Sequence, residues 1–199
     1  MQRFLIYSIS LILMAACAEK PAPAIPELPA DAPVVRADQP GYGYERGLMT
    51  LAGEPITGYV LELYPDGSVR KKSSVAGGKR NGIEEVWYEN GQLKERRYYL
   101  HHLKQGEHTG WWPNGNLRFR YQFDLGEYHG EVCNWYSDGA PYSVFHFVQG
   151  QEDGPQKLYR EDGSLKANYT VREGRRYGLI GTKGCASLWK DDSLPQTMD

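Results

Sequence analysis

Short aromatic and β-branched segments alternate along the chain with glycine-containing breaks, and the breaks recur at a fixed interval. Gly58, Gly82, Gly106, Gly130, Gly154 and Gly178 are each 24 residues apart. Nine residues after each of the first five comes another glycine, at Gly67, Gly91, Gly115, Gly139 and Gly163, preceded by Asp66, Asn90, Asn114, Asp138 or Asp162. A third follows the first by twenty residues in four of five units (Gly78, Gly126, Gly150, Gly174), with His102 standing there in the remaining one. This is the signature of a repeat array. Segments such as Val86-Trp87-Tyr88 and Phe119-Arg120-Tyr121-Gln122-Phe123 are short and aromatic, and Asx-Gly lies between them, so each unit predicts a β-hairpin. The expected fold is all-β, an elongated antiparallel β-meander of five to six hairpin repeats.

Let each repeat glycine be position 0. Pro65-Asp66-Gly67, Glu89-Asn90-Gly91 and Pro113-Asn114-Gly115 fit a three-residue loop, a type I turn followed by a left-handed glycine. Such a loop sets odd positions opposite odd positions. Position 5 (Leu63, Trp87, Trp111, Trp135, Tyr159) is therefore expected to share a face with position 11 (Val69, Leu93, Leu117, Pro141, Leu165) and position 17 (Val75, Tyr99, Phe123, Phe147, Val171), joined by Tyr121, Phe145 and Tyr169 at position 15. Core packing is the plain reading of the tryptophan column, a ligand-stacking ladder the alternative.

The opposite face is expected to be basic and aromatic. It would carry Tyr64, Tyr88, Trp112, Tyr136 and Arg160 at position 6, Arg70, Lys94, Arg118, Tyr142 and Lys166 at position 12, and Lys72, Arg96, Arg120, Val144 and Asn168 at position 14. Val60, Val86, Val132 and Leu158 fall there too, so the segregation is imperfect. The candidate binding residues are Tyr64, Tyr88, Trp112, Tyr136, Arg70, Lys94, Arg96, Arg118 and Arg120. They suit an anionic ligand, such as cell-wall or lipid head-group phosphates, or an acidic envelope protein; the plainer alternative is a solvated face with cation–π contacts between strands.

Trp-Tyr-Glu-Asn-Gly-Gln-Leu-Lys at 87–94 and Trp-Trp-Pro-Asn-Gly-Asn-Leu-Arg at 111–118 resemble the bacterial variant of the MORN repeat, over about residues 53–177. The resemblance implies an elongated antiparallel sheet serving as an interaction or scaffold surface, and it brings no catalytic residue. Some relatives are labelled antitoxins, which an export signal argues against here.

That signal is at the amino terminus. Arg3 precedes Phe4 to Ala16, thirteen mostly apolar residues, the order of a secretory leader and too short a run to span a bilayer. Leu13-Met14-Ala15-Ala16-Cys17 resembles a bacterial lipobox, with ordinary secretion as the alternative. The resemblance implies cleavage after residue 16, lipidation of Cys17 and a membrane anchor. Ala18 stands where Asp would mark inner-membrane retention, which implies the outer membrane, facing the periplasm. Residues 18–40 hold six of the twelve prolines and six alanines, a semi-rigid tether reaching about 70 Å at ~3.1 Å per residue. The expected division is thus a leader (1–16), lipidated cysteine and linker (17–40), repeat domain (41–177), and degenerate repeat with tail (178–199).

Composition narrows the function. The chain has 199 residues, a formal charge of -2 and a mean hydropathy of -0.62, with no apolar run of 18 residues, which excludes a polytopic helical membrane protein. Near-neutral charge gives nucleic acid no footing. Cys-x-x-Cys, His-Glu-x-x-His, Gly-x-Ser-x-Gly and phosphate-loop patterns are absent from the sequence, so a non-enzymatic protein without cofactor is expected. The histidines are scattered: His101, His102 and His129 in turn regions, His108 and His146 on the polar face. They do not suggest a shared metal site.

Once Cys17 is lipidated, Cys133 and Cys185 remain. Cys133 is expected to be a buried small hydrophobe beside Trp135. Cys185 falls about 20 Å farther along the ribbon, whereas a disulfide needs Cα atoms within about 7 Å, so only a tail that folds back closes the bridge. Cys185, between Lys183 and Lys190, also motivates a different reading, an envelope accessory in thiol or copper traffic. A structural spacer is the third. A single-layer sheet must also cover its apolar face by curling, by capping with Tyr42 to Ile56 and the tail, or by packing on a second copy, which leaves a homodimer open.

Overall fold

The computed structural model describes Leu28, Pro29 and residues 31–181. The described residues form two sheets. After β1 (Val34–Arg36), strands β2 (Tyr42–Glu45), β3 (Leu48–Leu51) and β4 (Glu54–Pro55) make a small antiparallel sheet. The repeats then supply β5 (Gly58–Leu63) with β6 (Val69–Ala76), β7 (Lys79–Trp87) with β8 (Leu93–Leu100), and, after β9 (Leu103–Lys104), β10 (Gly106–Trp111) with β11 (Leu117–Asp124). They continue as β12 (Glu127–Trp135) with β13 (Pro141–Val148), then β14 (Gln151–Glu152), β15 (Gly154–Tyr159) with β16 (Leu165–Arg172), and β17 (Arg175–Leu179). Apart from β9 and β14, which pair back on β8 and β13, these strands pair in chain order, antiparallel throughout, except that β1 lies parallel to β5 with Val35 opposite Val60. Val34–Arg36 thus joins the sheet from within the stretch read as tether.

Two turn types per unit produce this meander. At the Asx-Gly turns, Asn90 Oδ1 accepts from the Gln92 amide at 3.0 Å and the Tyr88 amide donates to the Gln92 carbonyl at 2.9 Å, and the pattern repeats at Asn114 and Asp138. The Asx side chain mimics a backbone turn, and the following glycine takes the left-handed conformation at φ of 78 to 92°. The second turn is a two-residue reversal with both residues at positive φ, as at Leu125 (47°) and Gly126 (95°). His102 adopts this conformation (73°) without being glycine. Its Nδ1 accepts from the Arg80 amide and its Nε2 lies 3.2 Å from the Gly47 carbonyl, which fastens the small sheet to the array.

The three-residue loop is present, yet the expected division of faces is not. Position 5 does meet position 11, as Trp111 opposite Leu117, but the next pair is Gly110 with Phe119. One extra residue intervenes, and it is the same in all five hairpins: Arg70, Lys94, Arg118, Tyr142 or Lys166. Because side chains alternate with a period of two, this bulge inverts every position beyond it. Positions 15 and 17 consequently lie with positions 2, 4 and 13, and the tryptophans lie on the other side, with the position 14 cations.

The inversion gathers the apolar residues. Val60, Val75, Tyr99, Phe119, Phe123, Val132, Ala167, Tyr169 and Val171 are buried on one face, so Val60, Val86, Val132 and Leu158 no longer look misplaced. Tyr99, His108, Phe123, Tyr128 and Phe147 form a chain of rings with neighbouring centroids 4.6 to 5.6 Å apart. Each such contact contributes about 0.5–1.5 kcal/mol beyond its burial. At the amino-terminal end Met49 and Ile56 pack with Val35, Val60 and Val75, so the segment from Tyr42 to Ile56 supplies, at that end, one of the three coverings left open by the sequence.

Candidate functional site

The face opposite the ring core carries Trp87, Trp111 and Trp135 in a row, and here the position 6 aromatics find their role. Tyr64 Oη donates to the Trp87 carbonyl (2.8 Å), Tyr88 Oη to the Trp111 carbonyl (2.9 Å), Trp112 Nε1 to the Trp135 carbonyl (3.1 Å) and Tyr136 Oη to the Tyr159 carbonyl (3.2 Å). Each ties one repeat to the next. Between units the strand pairing stops at position 4, as Lys71–Val86, Glu95–Gly110, Phe119–Asn134 and Ser143–Leu158, so the carbonyl at position 5 lies beyond the ladder and the side chain satisfies it. Arg160, in the last unit, bonds instead to Ser164 and the Leu165 carbonyl of its own hairpin.

The cations named from sequence are paired as well. Arg70 bonds Glu62, Arg96 bonds Glu85 at 2.7 Å, and Arg118 lies 4.0 Å from Glu95 and 5.4 Å from the Trp112 ring centre. Lys94 Nζ sits 5.2 Å from the Tyr88 ring centre, and the Arg120 guanidinium 5.9 Å from that of Trp135. The nine residues are therefore brought together along the ribbon, but as interstrand pairs and ties. Arg70, Arg96 and Arg118 meet a carboxylate, although Glu62 and Glu95 are shared with Lys71 and Arg97.

A concavity lies on the tryptophan face at its amino-terminal end. Val34, Tyr59, Leu61, Val69, Lys72, Trp87 and Tyr88 line a groove of about 530 Å³. Its walls are mostly apolar, and Lys72 is held 4.0 Å from the centre of the Tyr59 ring. A groove with a few polar groups at its rim can take an apolar side chain or a short extended segment. No single residue type announced it, because it is bounded by four strands.

Sequence reasoning missed a polar cluster inside the ring face. Glu84 is 3% exposed, accepts from Ser73 Oγ at 2.8 Å and lies near Arg97 and Arg80 at 3.8 and 3.9 Å. Arg97 also bonds Glu95, and Asn134 joins Tyr121 Oη to Ser143 Oγ. Gln156, fully buried, donates to the His146 carbonyl and accepts from the His146 amide. No buried side-chain polar atom among the described residues lacks a partner, as stable burial requires. Position 2, which reads Val60, Glu84, His108, Val132 and Gln156, was the available signal once the register is known.

His108 corrects its expected placement. It is 2% exposed between the Tyr99 and Phe123 rings, with Nε2 2.7 Å from the Tyr98 carbonyl, and burial, aided by nearby Arg97, Lys104 and Arg80, lowers its pKa to about 4. The bulge moved it from the expected polar face to the ring core. His146 lies on the tryptophan face, opposite Glu131.

Cys133 is buried as expected, 1% exposed, but it is disulfide-bonded and so is not a free small hydrophobe. Cys17 and Cys185 lie outside the described residues. Among the described residues no three His, Cys, Asp or Glu side chains group to hold a metal ion, and no helix is long and apolar enough to cross a membrane.

The family model described as MORN repeat variant matches residues 80–101 and 104–124. These stretches comprise β7 from Arg80 onward, all of β8, and β10 with β11. No curated protein matches the chain. Residues 80–124 thus have a MORN-repeat-like fold within an all-β structure.

Proposed function

We propose that this chain is a non-enzymatic interaction module of the bacterial envelope, anchored through lipid on Cys17 and binding a protein partner in the groove of the tryptophan face. The observation that carries the reading is the groove itself: an apolar concavity of about 530 Å³ on a sheet where Arg70 and Arg96 are ion-paired to neighbouring glutamates. Paired cations weaken the case for a purely electrostatic, phosphate-binding surface. An apolar segment entering beside Trp87 and Leu61 gains from burial at ~25 cal/mol per Å². The lipobox-like Leu13 to Cys17 and the proline-rich residues after it support an anchored domain held off the membrane.

The test uses the full-length exported protein with a photocrosslinking residue in place of Val69, a groove residue 38% exposed. A discrete protein adduct is expected, and it should disappear when Leu61→Asp is added. Absence of any adduct favours the structural spacer and overturns the binding reading. Separately, Cys17→Ser should move the protein from the membrane fraction to the soluble one; continued membrane retention overturns the anchor.

A further inference from the structure

Among the described residues that line the groove of the tryptophan face, Lys72 alone is charged. We infer that the groove takes an extended peptide segment in which an acidic residue, meeting Lys72, stands between apolar residues. This deepens the interaction-module reading and rests on it.

The carboxylates nearest Lys72 are already engaged. Glu62 holds Arg70 and Lys71. Glu85 stands directly opposite Lys72 across β6 and β7, yet its Oε1 accepts from both Nε and Nη2 of Arg96, at 3.0 and 2.7 Å. Lys72 is half-buried, and its Nζ lies 4.0 Å from the centre of the Tyr59 ring. That ring is itself held in place, its hydroxyl donating to the Leu28 carbonyl at 3.2 Å. An ammonium has three donors and the ring face occupies one side of it, so donors remain for a carboxylate entering the groove. Partial removal of water between apolar walls strengthens such a pair.

Register sets the length of the segment. Arg36, Leu61, Lys72 and Glu85 stand in one row across β1, β5, β6 and β7. Val34 lies two residues to one side of that row on β1, and Trp87 two residues to the other side on β7. The ends of the groove are thus three strand spacings and four residues apart, about 14 Å in each direction and roughly 20 Å on the diagonal. An extended segment covers this in about six steps of ~3.4 Å, with alternate side chains facing the sheet. Lys72 falls between the ends and nearer Trp87. The acidic residue therefore comes about two residues from an apolar one set against Trp87 and about four from another set against Val34, which is 58% exposed. A fatty acid carries its carboxylate at one end, so with Lys72 engaged it would leave one wall of the groove uncovered. A peptide with its acid in mid-segment covers both.

The test uses the full-length exported protein with the photocrosslinking residue in place of Val69, and compares unchanged Lys72 with Lys72→Met and Lys72→Arg. Lys72→Met keeps an apolar stem and removes the charge. It should cut the adduct yield about tenfold, whereas Lys72→Arg should retain it. Mass spectrometry of the digested parent adduct should place Asp or Glu beside the crosslinked residue, with apolar residues two to four positions away on both sides; this readout does not depend on how the variants fold. Undiminished yield in Lys72→Met, an equal loss in Lys72→Arg, or a crosslinked segment lacking an acidic residue overturns this inference and leaves the groove reading standing. An adduct of lipid in place of protein overturns the peptide occupant. Absence of any adduct in the parent overturns the groove reading itself, and this inference with it.

Discussion

The Tyr88 hydroxyl donates to the main-chain carbonyl of Trp111, 23 residues on, at 2.9 Å. Equivalent bonds from Tyr64, Trp112 and Tyr136 make this the joint between successive repeats. A repeat protein is stabilised by the sum of its unit and neighbour interactions, so a bond used at every interface has an effect out of proportion to its size. The same bonds fix the position 6 rings at the edges of the tryptophan row, and Tyr88 in this way forms one wall of the groove.

Tyr88→Phe keeps the ring and removes the donor. A loss of about 1–2 kcal/mol in urea unfolding is expected, with unchanged far-ultraviolet circular dichroism, because a part-buried carbonyl loses its partner. Tyr64→Phe should behave alike, and a variant as stable as the parent would show the joint to be incidental.

Gly110 faces Phe119, and a β-carbon at residue 110 would overlap the Phe119 ring. Gly110→Ala must therefore displace a buried ring in the middle of the stacked core. A destabilisation of about 1–3 kcal/mol is expected. Thermal unfolding measures it, and no change in midpoint would contradict the packing described.

Leu125 is 60% exposed and held at φ of 47° in a two-residue turn. A left-handed leucine costs about 1–2 kcal/mol, and Asn tolerates this conformation better. Leu125→Asn is expected to raise stability by about 0.5–1 kcal/mol; a decrease in the urea midpoint would mean that the side chain is used elsewhere.

His108 is held neutral by burial, its pKa lowered from 6.5 to about 4. The unfolded chain takes up this proton at higher pH than the folded one does. Stability from this group is therefore complete above about pH 6.5, falls as pH drops toward 4 and is fully lost below it. The loss is on the order of 2–4 kcal/mol across that interval. His108→Gln should flatten this part of the stability profile, and a slope identical to the parent's would assign it to other groups.

Much of the fold was legible because its causes are local. The Asp66-Gly67 and Asn90-Gly91 type of pair makes its own turn through an Asx bond and a left-handed glycine, whatever lies around it. The candidate site was legible in membership but not in arrangement. Tyr88, Arg96 and Arg118 were found by their columns, while the identity of their partners, Trp111, Glu85 and Glu95, depends on a register no column reveals. His108, expected on the polar face, is a core residue for the same reason, and Glu84 is buried at the same position of its own repeat.

By itself, then, the amino-acid sequence determined the period, the two reversals per unit and the alignment of Trp87, Trp111 and Trp135 along one side. Tertiary structure alone decided what shares that side. An extra residue at Arg70, Lys94, Arg118, Tyr142 or Lys166 swaps faces for half of each hairpin, and a long polar side chain is compatible with either register. The choice is made by what becomes buried together: only the bulged pairing brings Val132, Phe123 and Tyr99 onto one face, and that gain exists only once the strands are assembled.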